Sequence, residues 1–241
     1  MMRSPTSSLV VVLMLTSTVS AFAQVNAAPS RKGPVPPPGQ PDLSDVNWIL
    51  NGGGPTVFSA WTLTPDGKRR MDAYDFKTDD PAYSCTAASW TRAWLNPNAL
   101  VHITQGPDFV RLQHEFMDID RRIPLSNPRD PNPKRLRIPR HPQLGASAAW
   151  YEGNVLTIDT IDVAAGYMET IAERAGMPQS ARMHTVERVH REGDRLVIET
   201  TYVDPVNYQS PFVSTIRYLK NDWDLMEYGC IPEEAAITSP R

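Results

Sequence analysis

Gly145-Ala-Ser-Ala-Ala-Trp150-Tyr-Glu152, a turn at Gly153-Asn154, and a return along Val155-Leu-Thr-Ile-Asp159-Thr-Ile-Asp162 read as one β-hairpin. Met183-His-Thr-Val-Glu187-Arg-Val-His-Arg191, a turn at Glu192-Gly193-Asp194, and Arg195-Leu-Val-Ile-Glu-Thr-Thr-Tyr-Val203 read as a second. The arms are rich in β-branched and aromatic residues, and each pair surrounds a Gly-bearing turn, which is the strongest short-range hairpin signal. The rest of the chain reads as strands added to either side of residues 145–204.

Outward from this centre, the strand signals are Val46–Leu50, Val57–Leu63, Leu100–Thr104, Phe109–Met117 and an edge strand over Ile119–Leu125, placed at an edge by Pro124. Thr64-Pro-Asp-Gly67 reads as a turn, residues 70–98 as a long connection held down at Cys85, and 126–144 as a solvated loop bearing Pro and Arg. Apolar residues at helical spacing predict one short helix over 167–175. A third hairpin is expected from Phe212–Leu219, a turn at Lys220–Asp222, and Trp223–Tyr228. About nine to eleven strands with short turns must close or fold over, or else leave unpaired edges. The expected fold is all-β: an antiparallel up-and-down barrel, lipocalin-like, with a β-sandwich as the alternative.

The ends carry the compartment. Residues 1–23 hold one basic residue, Arg3, an apolar run Leu9–Leu15 and a small-residue end Ala21-Phe-Ala23, the pattern of a cleaved signal peptide. That run is far short of the roughly 20 residues a membrane span needs. The chain is therefore expected to be exported, periplasmic if the host has an outer membrane and otherwise secreted, with no stable membrane anchor. A Pro-rich leader follows over 24–44, then a single β domain over 45–235 and a tail over 236–241. Export and an even cysteine count predict a disulfide between Cys85 and Cys230.

Removal of residues 1–23 leaves 23 basic against 27 acidic side chains, a net charge of −4, which offers no polyanion-binding surface, so no nucleic-acid partner is expected. The triple glycine Gly52–Gly54 lacks the Gly-Lys-Ser/Thr of a phosphate loop, and no other cofactor motif is present. Ser147 sits in a Gly-x-Ser-x-Ala context leading into a hairpin, not the strand–turn–helix of a hydrolase elbow. The five histidines, His102, His114, His141, His184 and His190, lack metal-ligand spacing, so no metal is expected.

Two motifs resemble a known group. Gly145-x-Ser147-x-x-Trp150-x-x-Gly153-Asn154-x-Leu156-x-x-Asp159-Thr160 resembles the G-x-S-x-x-W-x-G-D-T-L-V-V-D-T signature of a large group of exported bacterial proteins with no assigned activity. Met183-His184-x-Val186-Glu187-Arg188-x-x-Arg191, Asp204-Pro205-x-x-Tyr208-x-x-Pro211 and Glu227-x-x-Cys230 are similar to the rest of its pattern, so the likeness spans roughly residues 80–235. Asn154 and Ala146 stand where commoner members have Asp and His. The resemblance implies export and a β fold, and carries over no functional residue.

Period two places candidate chemistry on strand faces. Val110, Leu112, His114 and Phe116 share a face, which turns His114 inward. On 183–191 the more apolar set is Met183, Thr185, Glu187 and Val189, and on 155–162 the set Val155, Thr157, Asp159 and Ile161 is taken as inward. An inward carboxylate must be neutral, paired or hydrogen-bonded, with His114, Arg121 or Arg122 as partners. Two functions follow. The first is a carrier of a small hydrophobic or amphipathic, largely apolar molecule, lined by Trp150, Arg121, Arg122, His184, Tyr202 and Tyr208. The second is a cofactor-independent acid–base enzyme with Glu187 or Asp159 as base and His114 as acid. A structural or adaptor protein of the cell envelope is a third reading, and would have a packed interior.

Overall fold

Both central hairpins form. The computed structural model describes residues 33, 35–50, 52, 56–80, 83, 85, 90–96, 98–126, 143–172 and 174–231. Within them β6 (Ala146–Glu152) pairs antiparallel with β7 (Val155–Ile161), and β10 (His184–Glu192) with β11 (Arg195–Val203). Each turn has two residues, and its first, Gly153 or Gly193, takes a φ of 62° or 61°, the left-handed value that glycine adopts without strain.

The other strands are β1 (Asn47–Ile49), β2 (Val57–Phe58), β3 (Leu100–Gln105), β4 (Phe109–His114), β5 (Asp120–Pro124), β8 (Gly166–Ala172), β9 (Ala175–Gln179) and β12 (Phe212–Asn221). Three short helices, α1 (Pro65–Asp72), α2 (Phe76–Asp79) and α3 (Trp90–Leu95), complete the elements used below. The signal peptide, the first part of the leader, the loop over 127–142 and the 236–241 tail expected from the sequence lie outside the described residues.

The fold is all-β and antiparallel. The main sheet runs β5-β4-β3-β1-β12-β11-β10-β7-β6, with β2 pairing β12, and β8–β9 forms a separate hairpin. Pro124 does stand in an edge strand, β5. The two ends of the sheet meet where Leu125 forms a single parallel bridge with Ala149 and the Ser126 amide donates to the Ala149 carbonyl at 2.7 Å. This is one bridge and not a ladder, so continuous strand pairing does not close the sheet into a barrel. Two contacts nonetheless cross the inner face: the Gln105 amide on β3 donates to the Tyr151 hydroxyl on β6 at 2.8 Å, and Arg121 on β5 reaches Glu187 on β10.

Register puts Ile103, Leu112, Ile158, Val189, Ile198 and Ile216 on one shared face, each no more than 0 % exposed, and they form one apolar cluster. Leu43 and Ser44, assigned to the leader, are buried there as well: both donate to the Gln105 side-chain oxygen, and the Trp48 indole donates to the Leu43 carbonyl.

Three local expectations are corrected. Residues 167–175 are not a helix but the β8–β9 hairpin, in which Tyr167 opposes Pro178 and Glu169 opposes Met177. Helical spacing of apolar residues there competes with Tyr, Thr and Ile, which favour a pleated strand, and the tertiary contacts of buried Met168 and Met177 decide. Trp223–Tyr228 is not a return strand. β12 already pairs β11 on one edge and β1 and β2 on the other, so no edge is left for it. The segment instead lies across the 3-10 turn Phe116–Asp118, its Met226 and Tyr228 amides donating to Glu115 and Asp118 carboxylates at 2.8 and 2.9 Å. Thr64-Pro-Asp-Gly67 is a helix start: the Thr64 hydroxyl caps the Gly67 amide at 3.0 Å and Pro65 occupies the first turn of α1.

Cys85 and Cys230 are bonded, with Cα atoms 5.6 Å apart and a sequence separation of 145. The bond ties the connection before α3 to the C-terminal strap. For a loop of that length the chain-entropy account gives roughly 4–5 kcal/mol, an upper figure.

Gly145 carries the tightest backbone constraint at the entry to β6. Its φ is 72°, and a Cβ there would stand 2.3 Å from the Ile161 carbonyl oxygen. We expect Gly145→Ala to destabilise the fold by more than about 2 kcal/mol through strain and overlap together. Urea unfolding checks this; a midpoint equal to that of the parent protein would contradict it.

Candidate functional site

Besides the Gln105–Tyr151 contact, the inner face carries a polar patch whose strand-borne side chains are placed by register. Thr185 on β10 lies opposite Thr160 on β7 and Tyr202 on β11; Glu187 lies opposite Ile158 and Thr200. Ser147 on β6 opposes Thr160. From the other end of the sheet, Arg121 on β5 and His114 on β4 face the same space.

The centre is an ion pair. The Arg121 guanidinium donates to both Glu187 oxygens, at 3.2 and 2.9 Å, and the two side chains are 2 % and 0 % exposed. Arg121 also donates to the Ser147 and Thr160 hydroxyls at 3.2 and 3.3 Å, and these two hydroxyls lie 2.8 Å apart. The Trp94 indole donates to Glu187 at 2.6 Å, and Trp90 places its ring 4.5 Å from the guanidinium carbon. Trp90 and Trp94 are four residues apart on α3, hence on one helix face, and both are buried. The same helix is held by the Tyr218 hydroxyl on the Trp94 carbonyl, by Thr91 on Gln179, and by Arg92 between Asp80 and Glu169.

His114 meets Trp94 edge-on, with ring centroids 4.8 Å apart. Burial, and then the Arg121 charge, push its pKa down to about 3, so the ring is neutral at ordinary pH. Both of its nitrogens are buried with no hydrogen-bond partner among the described residues, as are Trp90 Nε1, Arg121 Nε, Thr185 Oγ1 and Thr200 Oγ1. A folded protein leaves few such groups unsatisfied; others stand on Gln40, Thr157 and Asn207, but these six atoms belong to residues around the ion pair.

The sequence-derived residues divide accordingly. Glu187, Arg121 and His114 come together as expected. Tyr202 also faces inward; its hydroxyl is 3.1 Å from the Ser214 hydroxyl, its ring stacks on Phe212, and burial pushes its pKa up to about 12. Asp159 does not join them, which corrects its assignment as an inward base. Leu156, Ile158 and Thr160 are the inward set on β7, because pairing with β10 and β6 fixes the register. Asp159 lies on the opposite face, where its carboxylate is 2.8 Å from the His184 ring. His184, 41 % exposed at its side chain, is therefore not on the inner face either. Trp150 alternates away from Ser147 and Ala149, its indole donating to Glu152; Arg122 alternates away from Arg121 and stacks over Phe109. His102 lies in register with Asn47, whose side-chain oxygen is 2.7 Å from the ring, so His102, His114 and His184 do not converge.

Tyr208 belongs to a loop knot. Asp204 accepts from the Ser180 amide and hydroxyl, the Val206 amide and the Asn207 side chain, while the Tyr208 hydroxyl donates to the Pro178 carbonyl. The Asp-Pro-x-x-Tyr segment thus fastens the end of β11 to the end of β9. Sequence reasoning missed Trp90, Trp94, Ser147, Thr160, Thr185 and Thr200. Thr185 carried a signal, since it shares a strand face with Glu187; Ser147, Thr160 and Thr200 stand on other strands and are brought to it by pairing. The tryptophans carried none, because α3 interrupts a segment read as irregular.

No protein-family model, curated protein or solved structure matches the chain.

Truncation of one partner should expose how the pair is held. We expect Glu187→Ala to destabilise by about 3–5 kcal/mol, since it strands Arg121 in the interior, and the double replacement Arg121→Met/Glu187→Leu to lose much less than the sum of the two single changes. Double-mutant denaturation measures this; additive losses would contradict a coupled pair.

The two histidines should have opposite pH effects. The unfolded chain protonates His114 near pH 6.5, and the fold only near 3, so His114 removes stability as pH falls across that window. The hydrogen bond to Asp159 raises the His184 pKa, so His184 adds stability below its ordinary value and loses it as pH rises through the raised one. Relative to the parent protein, His114→Gln should flatten the acid limb of a stability–pH profile and His184→Gln the neutral-to-alkaline limb. Unchanged limbs in both variants would contradict the assignments.

Proposed function

We propose that the protein is an exported carrier that binds a small, largely apolar molecule inside its curved sheet, with the molecule's polar end at the Arg121–Glu187 patch. The single observation that carries this reading is the set of buried, unpartnered polar atoms on Trp90, His114, Arg121, Thr185 and Thr200 around one ion pair. Each such group left without a partner costs about 1–3 kcal/mol, and a guest supplying hydrogen bonds removes that penalty for several at once. The aliphatic residues of the same face, such as Leu112, Ile158 and Val189, are buried in one apolar cluster, against which the remainder of the guest would pack.

A lipocalin-like, up-and-down barrel is the architecture we propose around it. Apart from β2 and the β8–β9 hairpin, strands neighbour one another in chain order from β3 through to β12, β1 joins the two ends of that order, and the Leu125–Ala149 bridge brings β5 to β6. The disulfide accords with an oxidising compartment, and the signal-like N-terminal sequence with export to it.

Acid–base catalysis has less support. Asp159 lies on the other face, His114 is held neutral, and Glu187 is already engaged by three donors, two of them on Arg121. A purely structural role leaves the unpartnered interior groups without a purpose.

Native mass spectrometry of protein purified from its own host tests the carrier reading. We expect a bound mass of small-molecule size that is lost on unfolding. The bare chain mass alone, in protein shown to be folded, would contradict it.

A further inference from the structure

The proposed carrier site has a charge balance that bears on its ligand. Arg121 and Glu187 are a matched pair in bidentate contact, buried together, and His114 beside them is neutral. Other charged side chains on these strands and on α3 are engaged elsewhere: Arg122 lies over Phe109, and pairs form between His184 and Asp159, Arg188 and Glu152, Arg191 and Asp45, Arg111 and Asp120, and between Arg92 and both Asp80 and Glu169. The patch therefore holds no uncompensated charge of either sign.

A carboxylate guest would bring a second anion beside Glu187. To reach the guanidinium it would have to displace Glu187, stranding a buried carboxylate. An ammonium guest would meet Arg121 in the same way. In both cases an ion is desolvated without a counter-ion. What the patch does offer is hydrogen bonds: the Trp90 Nε1–H and Arg121 Nε–H are donors only, while the Thr185 and Thr200 hydroxyls and the His114 ring can each donate or accept.

Resting on the carrier reading, we infer that the ligand is a neutral amphiphile whose polar end is an uncharged oxygen function, a hydroxyl, carbonyl or amide, accepting from Arg121 and Trp90. Fatty-acid anions and cationic amphiphiles are disfavoured by the ion pair itself. Glu187 acts as the selectivity device: it cancels the charge that would otherwise make Arg121 an anion receptor.

The test is calorimetric titration of the full chain at neutral pH with four probes sharing one decyl tail: decanol, decanamide, decanoate and decylammonium. Decanol and decanamide should bind at least about tenfold tighter than either ion, the margin expected from ionic desolvation. Tightest binding by decanoate or decylammonium overturns the neutral-head inference and leaves the carrier reading standing. Absence of binding by all four overturns the carrier reading, and this inference falls with it. Glu187→Gln, checked for a folded circular-dichroism spectrum, supplies an independent arm. With Arg121 no longer neutralised, decanoate affinity should rise about tenfold over the parent protein, whereas an unchanged order of affinities in the folded variant overturns the role given to Glu187. The titration of the parent protein decides the matter even if that variant does not fold.

Discussion

A bidentate contact between Arg121 and Glu187 spans the inner face of the sheet, and the rest of the molecule is arranged so that it can exist. The two residues stand on strands that are far apart in sheet order, β5 and β10, so the sheet must curve for them to touch. Once they do, neither can be left alone in an apolar interior without a large electrostatic penalty. Trp94, Ser147 and Thr160 supply the further hydrogen bonds that a desolvated pair requires, and α3 is anchored by Tyr218, Thr91 and Arg92 so that Trp94 arrives at the right place.

Stability alone does not account for this arrangement. A buried ion pair seldom outperforms well-packed apolar residues of the same volume, and the surrounding strands show that this chain builds such packing readily. The polar patch is also incomplete by its own hydrogen-bonding capacity, most clearly at His114, whose two ring nitrogens both lack a partner among the described residues. An imidazole held neutral beside a compensated guanidinium is suited to giving and accepting hydrogen bonds. It is poorly suited to transferring protons, and recognition without net charge follows from the same geometry.

Much of the fold was legible because hairpins are local. The glycine-led turns at Gly153 and Gly193, the edge placement signalled by Pro124, and the inward turn of His114 and Glu187 all follow from turn chemistry and period two. Where two faces of a strand were equally apolar the sequence alone could not choose. On β7, Leu156 with Ile158 competes against Val155 with Ile161, and only pairing with β6 and β10 settles that Thr160, not Asp159, faces inward. The return strand expected at Trp223–Tyr228 failed for a non-local reason, since β1, from near the start of the chain, takes the edge of β12 that it would have used. The tryptophans of α3 were missed because a helix of six residues leaves little periodicity to read.

A crystal structure of the protein purified from its own host would look at the patch itself. We predict continuous density for an elongated molecule with an uncharged oxygen within hydrogen-bond distance of Arg121 Nε and Trp90 Nε1. An interior in which protein side chains alone fill that space and satisfy those groups would contradict it.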